Sequence, residues 1–157
     1  MQRISTCLWF DDQALDAAKF YTSVIPNSRI TEIMHYPADG PKPEGSVLVV
    51  TFVLDGTEYL ALNGGPVFPL SPVVSICVNC ETQAEIDHLW EKLSEGGEKS
   101  QCGWVTDKFG LSWQIVPRAM VALFDSPDRA ASKRAYLAML KMAKLDIAAI
   151  KRAYDGV

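Results

Sequence analysis

The sequence predicts an α+β fold made of two βαβββ modules. Two observations carry this prediction: a strand, a helix and three strands follow one another twice, and the last strand alternates apolar and polar residues. In that strand Leu111, Trp113 and Ile115 fall on one face. Ser112 and Gln114 fall on the other. One face therefore belongs to a core, and the other can present a polar amide to a ligand.

The first module is predicted over residues 1–62. An apolar run from Ile4 to Phe10 forms its first strand, and a helical pattern that ends at Pro26 follows. Apolar residues recur in this helix at Leu15, Ala18, Tyr21, Val24 and Ile25. Three extended runs complete the module, at Arg29–Tyr36, Ser46–Leu54 and Glu58–Leu62. The Asp55-Gly56 pair predicts a hairpin turn between the last two runs.

A linker over residues 63–72 and a second module over residues 73–117 follow. The first strand of this module is predicted at Val73–Val78, and Thr82 leads into a helix that ends at Gly96-Gly97. The buried stripe of the helix is formed by Ile86, Leu89, Trp90 and Leu93. A short run at Lys99–Cys102 and a hairpin from Trp104 supply the remaining strands. Asp107 and Lys108, in the turn of this hairpin, are expected to be solvated.

Residues 118–157 are predicted to form a helical extension. Met120, Val121 and Phe124 indicate a short helix, and Ser126-Pro127 indicates a cap followed by a first-turn proline. A long helical region then runs to about Tyr154, with apolar residues at near-heptad spacing: Tyr136, Leu140, Ala143, Ile147, Ile150 and Tyr154. Asp146 can begin a second helix within it as an N-cap. The extension either forms a partner or dimer surface or packs on its own sheet.

Size and charge favour one cytoplasmic domain. A chain of 157 residues can bury one good core, and its net charge of −4 argues against a nucleic-acid surface. It has no apolar stretch as long as a membrane span and no pattern of a signal peptide. Cytosolic thiols stay reduced, so the C-x-x-C pair Cys77 and Cys80 is more readily explained as small buried residues than as a metal or redox site.

Several segments together resemble the PhnB-like branch of the glyoxalase/bleomycin-resistance (vicinal oxygen chelate) superfamily, which is widely labelled as a 3-demethylubiquinone-9 3-methyltransferase domain. The segments are Leu8–Asp11, Leu62–Pro66, Trp90–Gly97, Cys102–Trp104 and Gly110–Pro117. The resemblance covers the chain almost end to end. It implies a duplicated βαβββ fold and, as is common in such proteins, a homodimer.

Enzymes of this superfamily typically hold a metal ion with His or carboxylate side chains on four strands that face the cleft. Strand phase and motif place Ser5, Leu60, Val73 and Gln114 at these positions. None of these side chains is a His, Asp or Glu, and a divalent cation needs charged or imidazole ligands to replace its lost hydration. The resemblance therefore comes without a metal site, and no metal or other cofactor is expected.

The same strand phase predicts which residues line the cleft. They are Cys7, Trp9, Leu60, Ser75, Cys77, Trp104, Ser112 and Gln114. A largely apolar pocket with a few polar groups suits an aromatic or quinone-like molecule. Plain core packing is the alternative role for Trp9 and Trp104, and a local hydrogen bond to the backbone is the alternative role for Gln114.

Three functions are compatible with this pattern. The first is a binding protein that holds a small molecule in a metal-free cleft. The second is a metal-free enzyme that acts on such a molecule, although neither histidine lies near Cys7 or Cys77 to activate a thiol. The third is a methyltransferase, as the family label implies. The first strand runs into Phe10–Gln13 without the glycine-rich loop that usual S-adenosylmethionine enzymes carry there, so the residues do not support that chemistry.

Overall fold

The computed structural model describes residues 3–157 and divides the chain into two compact units, Met1–Leu70 and Ser71–Val157. Each unit contains one four-stranded sheet whose strands follow the βαβββ order. The duplicated α+β fold predicted from the sequence is therefore confirmed. The finer division of the chain into a first module, a linker, a second module and an extension stays a prediction. Among residues 3–157 no helix is long and apolar enough to cross a membrane.

The first unit contains one helix and four strands. They are β1 Thr6–Phe10, α1 Ala14–Val24, β2 Arg29–His35, β3 Val47–Leu54 and β4 Thr57–Asn63. The strand order in the sheet is β1-β4-β3-β2, with β1 parallel to β4 and the other pairs antiparallel. Helix α1 packs on β3 and β4. Its Tyr21 is buried against Phe52, and Leu8, Val50 and Ala61 complete this core.

The second unit repeats this arrangement with shorter strands. They are β5 Ser75–Cys80, α2 Gln83–Ser94, β6 Glu98–Lys99, β7 Trp104–Thr106 and β8 Ser112–Pro117, in the order β5-β8-β7-β6. Helix α2 begins with a capping box in which Thr82 and Glu85 bind each other's backbone N–H. Its buried stripe packs on the face of the sheet that carries Leu111, Trp113 and Ile115, as the alternation in this strand predicted.

The extension forms three helices, α3 Arg118–Phe124, α4 Arg129–Met139 and α5 Ile147–Asp155. They pack on one another and bury an apolar cluster formed by Met120, Ala135, Met139, Leu145 and Ile150. Val116 of β8 and Cys102, which lies in the turn before β7, pack against this cluster. The extension therefore packs on the sheet of its own unit, as the second alternative predicted. A partner or dimer surface on the extension stays a prediction.

The structure corrects three local predictions and confirms a fourth. The strand predicted at Val73–Val78 begins only at Ser75, because the segment before it forms a turn in which Val74 N–H donates to Ser71 O. Of the run predicted at Lys99–Cys102, only Lys99 belongs to a strand, as the last residue of β6, because the chain turns before β7. The cap of α4 is Asp128, whose carboxylate accepts Ala131 N–H, and not Ser126. The long helical region is divided at residues 140–146, and Asp146 caps α5 as predicted.

Candidate functional site

Each sheet has one face that carries its helix and one that does not; the second is here called the distal face of that sheet. On the first sheet, Cys7 lies beside Leu60 and Trp9 beside Leu62 in the parallel pair of β1 and β4. The residues between them, Leu8 and Ala61, are buried in the core on the helix side. Cys7, Trp9 and Leu60 therefore share the first distal face, as their strand phase predicted.

Trp9 is held in place by its own unit. Its indole N–H donates to Gly65 O at 2.8 Å, and its ring packs edge-on against Phe68. A Cβ at Gly64 would lie 2.2 Å from the indole ring, so this glycine is what allows the ring to lie against the backbone. Trp9 is thus packed within the unit, and its indole N–H is already used.

The second distal face carries the other predicted site residues. Cys77 of β5 and Trp104 of β7 lie beside Gln114 of β8, one on each side, and Ser75 lies beside Ser112. Ser75, Cys77, Trp104 and Gln114 are all at least partly exposed. Ser112 differs from them because it is only 2% exposed. The structure thus brings all five residues onto one face of one sheet and buries one of them.

Gln114 is the polar centre of the second distal face. Its Nε2 donates to Ser75 Oγ at 2.9 Å. A glutamine amide has two N–H donors and an oxygen with two lone pairs, so this bond leaves further hydrogen-bonding capacity. The hydrogen-bond partner of Gln114 is thus a side chain of the neighbouring strand β5. The alternative considered from the sequence was a bond to the local backbone. Within residues 3–157, the Trp104 indole N–H has no intramolecular acceptor.

The register makes the two repeats comparable residue by residue. Cys7 pairs with Leu60 in the first sheet, and Cys77 pairs with Gln114 in the second, so Leu60 and Gln114 are equivalent. Two residues earlier, Ser5 is equivalent to Ser75. Val73, which the sequence placed at a metal-ligand position on the first strand of the second module, lies two residues before Ser75 and outside β5.

The four residues at these equivalent positions, Ser5, Leu60, Ser75 and Gln114, do not fit a metal ion. Hydroxyl, amide and aliphatic side chains supply no charged or imidazole ligand for a divalent cation. In the part of the chain that the structure describes, no group of three or more His, Cys, Asp or Glu side chains is arranged to hold one.

The cysteines lack the features of activated thiols. Partial burial raises the pKa of the Cys7 and Cys77 thiols above their ordinary value. Burial, assisted by the nearby Glu85 carboxylate and the Cys77 thiol, raises the pKa of Cys80 to about 11. Cys77 lies on the distal face and Cys80 in the core, so the two side chains point to opposite sides of β5. None of these thiols is set up as a nucleophile at neutral pH.

Two acidic residues have roles that the sequence did not predict. Glu58 is buried on the first distal face and accepts a hydrogen bond from Ser5 Oγ at 2.6 Å. Asp107 is 3% exposed, and its carboxylate accepts bonds from the N–H groups of Phe109 and Leu111 and from Trp113 Nε1. The expectation that Asp107 is solvated in its turn is therefore wrong. Only Asp107 had a local signal, since an Asp at the start of a turn often binds the N–H groups that follow it.

The comparison with known proteins decides the family. Residues 2–116 match the protein family described as 3-demethylubiquinone-9 3-methyltransferase. The chain belongs to this family. The PhnB protein from Bacillus cereus is 36% identical with a TM-score of 0.68, and the match covers 74% of this chain and 99% of that one. The PhnB-like resemblance noted in the sequence is thereby confirmed.

A more distant match shows only the fold. Protein PA1353 from Pseudomonas aeruginosa is 22% identical with a TM-score of 0.58, and the match covers 72% of this chain and 95% of that one. No curated protein matches the sequence. The family match ends at residue 116, so the helices α3, α4 and α5 lie outside the part of the chain that defines the family.

Proposed function

We propose that this member of the family binds a small aromatic or quinone-like molecule on the second distal face without converting it. The observation that carries the proposal is the Gln114–Ser75 pair, a hydrogen-bonded amide and hydroxyl on a partly exposed sheet face beside Trp104 and Cys77. A flat ring can stack on the indole of Trp104, and a carbonyl oxygen can accept a hydrogen bond from the remaining Gln114 N–H.

The first distal face is the weaker candidate for recognition of a ligand. Cys7 and Leu60 are neighbours there, and Trp9 has its ring packed and its N–H bonded within the unit. These three residues therefore present mainly apolar atoms. Orientation of the ligand depends on directional polar groups, and these are concentrated around Gln114.

Duroquinone is a suitable probe, because its fully methylated ring leaves no free position for addition of the Cys7 or Cys77 thiols. A ligand that binds only the folded state raises the melting temperature, and a hundredfold excess over Kd adds about 2.7 kcal/mol of stability. We expect a concentration-dependent rise that persists in the presence of a chelator. Duroquinone should be recovered chemically unchanged after incubation.

The variant Gln114→Leu, which gives the second face the residue found at the equivalent position of the first, should abolish most of this rise. Gln13→Leu makes the same chemical change at an exposed residue before α1 and should leave it intact. An equal rise in wild type and Gln114→Leu would contradict the proposed site. No rise at any duroquinone concentration, together with none for other aromatic probes, would contradict the proposed ligand class.

The description of the family supports a second candidate, transfer of a methyl group from S-adenosylmethionine. The glycine pairs of this chain have structural roles that account for them: Gly64 admits the Trp9 ring, and a Cβ at Gly97 would lie 2.1 Å from Thr106 O. Calorimetry with S-adenosylmethionine is the direct test. Measurable affinity together with methylated product would replace the binding function by this one. Turnover of a ring compound without S-adenosylmethionine and in the presence of a chelator would favour a metal-free enzyme.

We also propose a cytoplasmic homodimer as the working form. All four cysteines are unpaired, which fits a reducing compartment. The dimer is proposed on the family resemblance. Sedimentation at micromolar concentration should give twice the mass of the chain, and a stable monomer would contradict the dimer.

A further inference from the structure

The segment between α4 and α5 is bonded to the turn that carries Trp104 to the second distal face. Two consecutive residues of this turn, Cys102 and Gly103, have left-handed backbone conformations, with φ of 57° and 81°. Cys102 N–H donates to Met142 O and Gly103 N–H donates to Ala143 O, each at 2.8 Å. A left-handed conformation is unfavourable for a cysteine, so these bonds stabilise a turn that is not favoured locally.

The same segment is fixed to α2 on its other side. Gln83 Nε2 donates to Leu145 O at 3.1 Å, and Gln83 Oε1 accepts Ile147 N–H at 2.9 Å. Asp87 accepts a bond from Gln83 Nε2 and pairs with the Lys144 ammonium at 2.7 Å. The bond from Lys144, assisted by that from Gln83, holds the pKa of Asp87 below its usual range.

The turn leads directly into β7. Gly103 O accepts Ile115 N–H at 2.8 Å, and the next residue, Trp104, lies beside Gln114. At Gly103 a Cβ would lie 2.6 Å from Ile115 O and 3.1 Å from Leu145 Cδ1, so turn, strand and segment are in close contact. Strand β7 has only three residues, and its own ladder gives Trp104 little support.

We propose that residues 142–147, here called the clamp, are a positioning element for Trp104, and that Gln83 is the residue that holds the clamp. The clamp lies outside residues 2–116 that define the family, so it is an addition by which the extension serves the second distal face. The effect on a ligand rests on the proposed function, whereas the effect on the turn does not. Met142 and Ala143 act through the turn and need not touch the ligand.

The test uses the full chain and the variant Gln83→Ala, with Gln13→Ala as the matched control. Gln13 is the N-cap of α1, where it makes no side-chain capping bond. Amide hydrogen exchange of Cys102 and Gly103 should become about tenfold faster in Gln83→Ala, because their acceptors are no longer fixed. Duroquinone should bind about fivefold more weakly or worse. Gln13→Ala should change neither. Asp87→Asn is a second variant, in which we expect smaller changes in the same directions: faster exchange at Cys102 and Gly103, and weaker binding of duroquinone.

The outcomes separate the two proposals. Unchanged exchange at Cys102 and Gly103 in Gln83→Ala and Asp87→Asn overturns the clamp. Faster exchange with wild-type duroquinone affinity, while Trp104→Ala weakens binding, also overturns it and leaves the proposed function intact. If wild type does not bind duroquinone, the proposed function fails by itself. The clamp is then tested by amide exchange and by the fluorescence emission of Trp104, which is obtained by subtracting the spectrum of Trp104→Phe. A red shift of this emission in Gln83→Ala supports the clamp, and an unchanged emission maximum overturns it.

Discussion

The two units share one topology and stabilise it in different ways. The first sheet has strands of five to eight residues. Asn63 of β4 accepts the Ala14 N–H at the start of α1, and Gly65, in the segment after β4, accepts the Trp9 indole N–H. The second sheet ends in an edge strand of two residues, β6, beside the three-residue strand β7, and the extension supports it. The difference indicates that one repeat keeps its stability within the sheet, whereas the other depends on helices added after it.

The repeats also differ at equivalent positions of their distal faces. Leu60 of the first corresponds to Gln114 of the second. Two tryptophans on non-equivalent strands also differ: Trp9 of β1 is packed with its indole N–H bonded, whereas the indole N–H of Trp104 in β7 has no acceptor within residues 3–157. The proposed binding groups and the weakly supported strand β7 therefore occur together in the second unit. This is expected when a ligand surface has to leave polar groups unpaired.

The largest effect is expected at the glycine that joins the second sheet to the extension. Gly103→Ala should lower the free energy of unfolding by about 3 kcal/mol or more, because it combines a left-handed backbone with a Cβ 2.6 Å from Ile115 O. Gly56→Ala shares the positive φ but has open space around the added Cβ, so it should cost only about 1–2 kcal/mol. Denaturant unfolding of both variants measures the difference. Equal losses would show that the extension is not closely packed on this turn.

A smaller effect is expected where the two helices begin. The buried Asn63 side chain accepts Ala14 N–H at 2.8 Å and donates to Val47 O at 3.0 Å, so Asn63→Ala leaves two backbone groups unpaired. It should cost about 2–3 kcal/mol. Thr82→Ala removes a local capping bond of α2 and should cost about 1 kcal/mol. Thermal unfolding of both proteins tests this order, and a reversed order would contradict the contrast between long-range and local support.

The smallest expected effect is on thiol reactivity. Cys7 and Cys77 occupy equivalent exposed positions with a raised pKa, so iodoacetamide should label both slowly at neutral pH and faster as the pH rises. Cys80 is buried with a pKa of about 11, and at pH 8 only about one thiol in a thousand is ionised. Peptide mass mapping gives the three rates. Labelling of Cys80 before Cys77 would contradict the assignment of their faces.

The sequence was sufficient to predict features that depend on residues recurring at a regular, short spacing along the chain. Alternation along β8 placed Trp113 in the core and Gln114 on the other face, and the internal repeat predicted both sheets. The start of α2 was also predictable, because Thr82 and Glu85 form a local capping box. In each case the residues that interact lie within a few positions of one another or follow the period of the element.

The features that were missed join residues far apart in the chain. Asn63 binds the start of α1 across 49 positions, and Gln83 binds the clamp across more than 60. No local pattern marks such partners. The second helix was predicted to begin at Asp146, but the length of the break at residues 140–146 depends on distant residues, since Met142 O and Ala143 O accept bonds from the turn at Cys102 and Gly103.

The central claim is that the second distal face, and not the first, recognises the ligand. Quenching of tryptophan emission by duroquinone tests it most directly, with Trp104→Phe compared with Trp9→Phe. Saturable quenching should be largely lost in Trp104→Phe and retained in Trp9→Phe, since of these two tryptophans only Trp104 lies beside Gln114. Wild-type quenching in Trp104→Phe, with loss in Trp9→Phe, would contradict the claim and assign recognition to the first distal face.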